Sequence, residues 1–253
     1  MLFDTHAHLN DDRFDGIREQ LIESLNENGI GAYCEIGYDV ESSRRGAEIS
    51  EKYDFIYSAA GVHPHDTDSL TEDDMAKIKE LCSRKKVVAL GEIGLDYYYD
   101  NSRRENQRFW FDRQLSLSEE INIPVVIHTR DAMKDTIDIL RSHPKSTGII
   151  HCYSGSKESA KILLDMGYYI SFAGPLTFKN ATTALEVASY VPDDRMLIET
   201  DSPYLAPVPY RGKTNTPVYV VEVAKKLAEI RNSNFEEIAF KTFDNAKNVY
   251  RIK

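Results

Sequence analysis

A chain of 253 residues can bury about 70 to 75% of its unfolded surface, so neither a disulfide nor a structural metal is needed to hold it folded, and any metal site is expected to serve chemistry. Its 41 acidic side chains outnumber 31 Lys and Arg for a net charge of −10, which excludes a broad basic face for duplex DNA and means that a polyanionic substrate has to be attracted locally. Three scattered cysteines, Cys34, Cys82 and Cys152, exclude a disulfide framework or a four-cysteine zinc site.

No apolar stretch approaches the ~18 residues of a membrane span, and the opening Met1 to His6 lacks both the basic start and the apolar run of a signal peptide. A cytoplasmic protein without membrane association is expected, and no obligate protein partner is implied. Short β-rich runs alternate with longer helical patterns from end to end, the mark of βα units on a parallel sheet. In chain order the candidate strands are Leu2 to His6, Gly31 to Gly37, Phe55 to Val62, Val87 to Gly94, Pro124 to Thr129, Gly148 to Tyr153, Tyr168 to Gly174 and Met196 to Asp201. Helical patterns lie between them, for example Ser102 to Glu120 and Ala132 to Arg141. Two more, Pro217 to Ile230 and Phe235 to Tyr250, follow the last strand and can cap it. Eight strands fit an α/β fold of the (βα)8 TIM barrel type over residues 1 to 253 as one domain, with an open doubly wound sheet as the alternative.

The strand ends favour the barrel, because chemistry there collects on the C-terminal rim. Strand one ends in Asp4-Thr5-His6-Ala7-His8, strand three in His63-Pro64-His65, strand four in Gly91-Glu92 and strand five in His128-Thr129-Arg130. Strand six ends in His151-Cys152-Tyr153 and strand eight in Glu199-Thr200-Asp201. Of seven histidines only His143, beside Pro144, falls elsewhere, and it reads as an ordinary surface residue.

His6 and His8 are two apart, so an extended backbone projects both imidazoles, with Asp4, from one face, where a single cation can bind both. The plainer reading of such a pair is a hydrogen-bonded strand. Glu92 and Asp201 end apolar runs, and a buried carboxylate there carries a large desolvation cost unless a cation or hydrogen bonds offset it. Together with His128 and His151 these are six ligands, more than one catalytic zinc takes, and two divalent cations are the natural division. His6, His8 and Asp201 are assigned to one and His128 and His151 to the other, with Glu92 bridging through its two oxygens. Nitrogen and oxygen donors without thiolate suit Zn, Mn, Ni, Co or Fe, and Mg less well. Alternation points Cys152 away from the site. Two such cations and two carboxylates sum to about +2, a locally cationic pocket on an acidic protein. Arg130, which shares parity with His128, and Arg211 and Lys213 after strand eight can add to anion capture, or be plain solvated loop charge.

At these residues the chain resembles the TatD family of metal-dependent deoxyribonucleases, within the amidohydrolase-like barrels. The likeness runs through Asp4 to Asn10, Gly61 to His65, Gly91 to Tyr97, Pro124 to Arg130, His151 to Gly155, Glu199 to Pro207 and Pro209 to Lys213. One departure is Tyr153, where the family often has Phe. The resemblance implies a nuclease acting on DNA, in several members from a free 3′ end, with Glu92 standing where related barrels use a modified lysine.

In the mechanism this suggests, the cations activate a water for attack on phosphorus, and Asp201 orients it and passes its proton to the leaving oxygen. His63 and His65 hold the phosphate or the leaving group, or else shape the loop around Pro64. Glu199 orients a ligand histidine from behind, or forms an ion pair inside the barrel. Tyr97, Tyr98, Tyr99 and Tyr153 can stack on unpaired bases or simply pack the barrel mouth. Single-stranded DNA ends are therefore the expected partner. Hydrolysis of a small ester, lactone or amide, or of an aminoacyl-tRNA ester, is the rival chemistry. A metal-binding scaffold without turnover is the rival from another class.

Overall fold

A computed structural model describes residues 1–253. Eight parallel strands stand in sequence order, β1 (Leu2–Ala7), β2 (Ile30–Ile36), β3 (Ile56–Ala60), β4 (Val87–Asp96), β5 (Val125–Arg130), β6 (Gly148–Ile150), β7 (Tyr169–Phe172) and β8 (Met196–Ile198). Helices return the chain between them: α1 (Arg18–Glu27), α2 (Val40–Lys52), α3 (Glu72–Cys82), α4 (Arg104–Ile121), α5 (Met133–Arg141), α6 (Lys157–Asp165) and α7 (Thr182–Tyr190). After β8 come α8 (Val220–Arg231) and α9 (Phe235–Val249). The sheet is a nearly closed (βα)8 barrel, so the open alternative is excluded.

β8 meets β1 through the residues that follow it. Asp201 N donates to His6 O at 2.9 Å and His8 N to Ser202 O at 2.8 Å. Asp4 reinforces the seam, accepting from Thr200 N at 2.9 Å and from the Thr200 hydroxyl at 2.6 Å. Two apolar cores sandwich the strands. The larger lies between barrel and helices; the smaller fills the barrel with side chains such as Phe3, Cys34, Ile36, Val126 and Leu197. α9 joins the second through Ala246, Val249 and Tyr250, whose hydroxyl donates to Thr5 O at 2.7 Å.

Several strands stop earlier than their apolar runs suggest. β6 ends at Ile150 and β8 at Ile198, because the chain turns into the left-handed region at Cys152 (φ 41°) and Asp201 (φ 55°). His151 and Asp201 thus stand on rim loops, one and three residues past the ladder. α4 begins two residues later than expected, since the Ser102 hydroxyl donates to His65 O at 2.7 Å instead of opening the helix. Pro217–Tyr219 form a single tight turn before α8. No helix is long and apolar enough to cross a membrane.

Candidate metal centre

Register irregularities sit where the rim side chains leave the ladder: between Asp4 and Ala7 on β1, around His6, and between Leu90 and Ile93 on β4, around Glu92. Local departures of this kind re-aim side chains beside active sites. Gly94 (φ 139°) lets β4 close on β5, since a Cβ there would stand 2.0 Å from His128 O.

Around Glu92 the imidazoles converge in two groups. His6 Nε2 and His8 Nε2 face each other at 3.2 Å, with Glu92 Oε2 at 3.4 and 3.8 Å from them and Asp201 Oδ1 3.6 Å from each. Glu92 Oε1 looks the other way, 3.0 Å from His128 Nδ1, 2.7 Å from His151 Nε2 and 3.7 Å from His63 Nε2. His128 Nδ1 and His151 Nε2 are 3.1 Å apart. With metal–ligand bonds of about 2.0–2.1 Å, the edges of a tetrahedral shell are about 3.3 Å long. Both groups are therefore spaced to hold a cation, and the donor set of imidazoles and carboxylates suits one.

The outer nitrogens of three imidazoles are held from behind. His8 Nδ1 donates to Ile36 O at 3.0 Å, His128 Nε2 to Asp96 Oδ2 at 3.1 Å and His151 Nδ1 to Glu199 Oε1 at 3.2 Å. A neutral imidazole that donates from one nitrogen presents a lone pair on the other, and here each lone pair aims at the centre. His6 differs: its Nδ1 is buried without a partner, and its ring stacks on His151 at 3.9 Å.

Charge in this cluster is strongly coupled. Burial opposes ionisation of Glu92 and Asp201, yet the surrounding histidines outweigh it and hold Glu92 well below, and Asp201 below, the usual carboxylate range. Burial likewise opposes charge on His8, but Asp201 and Glu92 lift it to about 9. His128 and His151 are raised against burial by their carboxylate neighbours, whereas burial lowers His6 and takes His63 well below its usual value. The site is thus an anionic cage that draws positive charge, as protons or as metal.

A cavity of about 600 Å³ opens over this cluster, lined among others by His8, His63, His65, Glu92, His128, Arg130, His151 and Asp201. His63 Nδ1 accepts from His65 N at 3.2 Å, so its Nε2–H points to the centre. His65 Nε2 donates to Asp96 Oδ2 at 3.1 Å. Glu199 lies behind His151, also accepting from Cys152 N at 2.7 Å, and Asp4 steadies the backbone at His6 and Thr200.

Four of the residues singled out in the sequence lie away from the cavity. Tyr153 does not reach the cavity: its ring is buried in the outer core and its hydroxyl donates to Ser156 O at 2.7 Å, because the turn at Cys152 reverses strand parity. Arg211 lies outside, its guanidinium 4.1 Å from the Phe178 ring centroid. Tyr97 faces α5, donating to Asp135 at 2.7 Å. His143 is buried rather than on the surface, donating to Asp112 at 3.0 Å and facing Glu119 at 3.5 Å. Sequence reasoning missed Asp96, which joins His65 to His128. Its parity with Glu92 on β4 was the available signal.

Residues 3–251 match the family described as TatD related DNase. A metal-dependent hydrolase of Bacillus subtilis is 47% identical over 254 residues, covering 100% of both chains. A 3′-5′ ssDNA/RNA exonuclease of Pantoea ananatis is 32% identical over 259 residues, covering 99% of this chain and 100% of that one. Among solved structures, a TatD homologue from Escherichia coli superposes with a TM-score of 0.94 at 28% identity, covering 100% of this chain and 98% of that one.

Proposed function

The chain belongs to the TatD related DNase family and is a metal-dependent hydrolase of ester bonds, and from that premise we propose that it uses two divalent cations to remove nucleotides from the 3′ end of single-stranded DNA. The observation that carries this reading is the division of Glu92, whose two oxygens face two separate groups of imidazoles. The name of the Pantoea relative, a 3′-5′ ssDNA/RNA exonuclease, supports the end-directed part.

His6, His8 and Asp201 would hold one cation, His128 and His151 the other, and Glu92 both. When bound, the cations supply Lewis acidity toward a water and a phosphoryl oxygen. Asp201, kept ionised by the facing histidines, accepts the proton of the attacking water and returns it to the leaving sugar oxygen. His63 stays neutral through burial and donates from Nε2 to a phosphate oxygen. His65 steadies the wall of the pocket through Asp96.

The test is digestion of end-labelled linear single strands beside covalently closed circles, before and after chelation. Linear strands should be shortened while circles survive, and chelator should abolish cleavage until a divalent ion is restored. Asp201→Asn should lower kcat by about 10² to 10⁴-fold. Equal rates on circles would remove the end-directed claim; chelator-resistant cleavage, or turnover of acyl esters without any of oligonucleotides, would reject the reading.

A further inference from the structure

Arg130 is the one Lys or Arg side chain lining the cavity, and no carboxylate or carbonyl takes its guanidinium N–H groups. Neighbouring arginines are engaged: Arg13 by Asp11, Arg104 by Asp100 and Arg108 by the Tyr97 hydroxyl. What holds Arg130 is aromatic. Its guanidinium carbon lies 3.9 Å from the ring centroid of Tyr98 and 4.7 Å from that of Tyr99. Stacking in this way fixes the plane of the group and leaves its edge of donors free for an anion.

Tyr99 lines the cavity and Tyr98 stands beside it against Arg130; they are 56% and 58% exposed, a large area of aromatic surface to leave in water. They are not mobile ornaments. The backbone N–H groups of both donate to Asp96 Oδ1 at 2.9 Å, and the two rings stand at 87° with centroids 5.0 Å apart. The other oxygen of Asp96 accepts from His128 and His65, and Tyr99 packs edge-on against His65 at 5.6 Å. One carboxylate therefore fixes the backbone of the tyrosine pair relative to a candidate ligand of the centre, while the rings are held by each other, by His65 and by Arg130.

We infer that Arg130, Tyr98 and Tyr99 form a nucleotide subsite in which the guanidinium edge takes a strand phosphate and the exposed tyrosine surface stacks one unpaired base. The inference rests on the nuclease reading and deepens it. Preorganised rings lose little freedom when a base lands on them, and aromatic stacking accepts every base, so the subsite selects for an unstacked nucleotide without reading sequence. A base inside a duplex has both faces covered and cannot use it. Preference for single strands then resides in this pair of rings, apart from the chemistry at Glu92.

The experiment compares KM for a short oligothymidylate with KM for the same strand carrying abasic residues at its 3′ end, in the wild-type protein and in Tyr99→Ala, Tyr98→Ala and Tyr99→Phe. The wild-type enzyme should favour the base-bearing strand by about tenfold, consistent with one stacked base. The alanine variants should bring that ratio towards one, with kcat changed less than KM; Tyr99→Phe should keep it. Arg130→Lys should raise KM on both strands alike, by about tenfold, because the phosphate contact needs no base. A ratio near one in the wild-type enzyme, or unchanged in both alanine variants, overturns the subsite and leaves the nuclease reading standing. Absence of any cleavage or binding of oligonucleotides by the wild-type protein overturns both.

Discussion

Asp96 shows how much of the site is held from behind. Four donors converge on it, the ring N–H groups of His65 and His128 and the backbone N–H groups of Tyr98 and Tyr99, and their hydrogen bonds hold it below the usual carboxylate range against its burial. In Asp96→Asn the amide oxygen can still accept from the two tyrosine N–H groups, but the amide nitrogen cannot accept from His128. Chelator competition should then show metal affinity lowered by about 10 to 100-fold, as for other lost partners of ligand histidines; unchanged affinity would remove Asp96 from that role. Residues whose chemistry was out of place were legible in the sequence: an acid ending an apolar run at Glu92 or Asp201, and histidines at several strand ends. Asp96 was not, since an acid before three tyrosines reads equally as a turn. Tyr153 misled because its parity depended on a left-handed residue, Cys152, that no pattern of side chains announces.

Among the elements, the seam between β1 and β8 bears most directly on the centre, because it sets His6 against Asp201. Asp4 accepts from both the backbone and the hydroxyl of Thr200 there, and burial raises its carboxyl well above the ordinary value. Thr200→Val keeps the shape but removes a hydroxyl that donates to Asp4 and accepts from Ser202 N at 3.2 Å, stranding a buried oxygen and a buried N–H. Urea denaturation should show a loss of about 1 to 3 kcal/mol, and an unchanged midpoint would mean that the seam is carried by the backbone alone. The order and type of the strands followed from alternating β-rich and helical runs, which packing on both faces of a parallel sheet requires. Their ends did not, because β6 and β8 stop where φ changes sign rather than where hydrophobicity does.

At the scale of the whole molecule, acidic side chains outnumber basic ones, and Arg130 is the one Lys or Arg that lines the cavity. With a net charge of −10, a polyanion would, on the proposed reading, be drawn by Arg130 and by the cations the cage would hold, while α9 and the inner core occupy the barrel beneath. Glu92 is the residue proposed to join two cation sites, its two oxygens facing separate groups of imidazoles. The most direct test is elemental analysis of metal bound per chain, after saturation with a single divalent ion and desalting, in the wild-type protein and in Glu92→Gln. Two ions per chain in the former and fewer in the latter are predicted; one ion per saturated wild-type chain, or a full complement in Glu92→Gln, would contradict it.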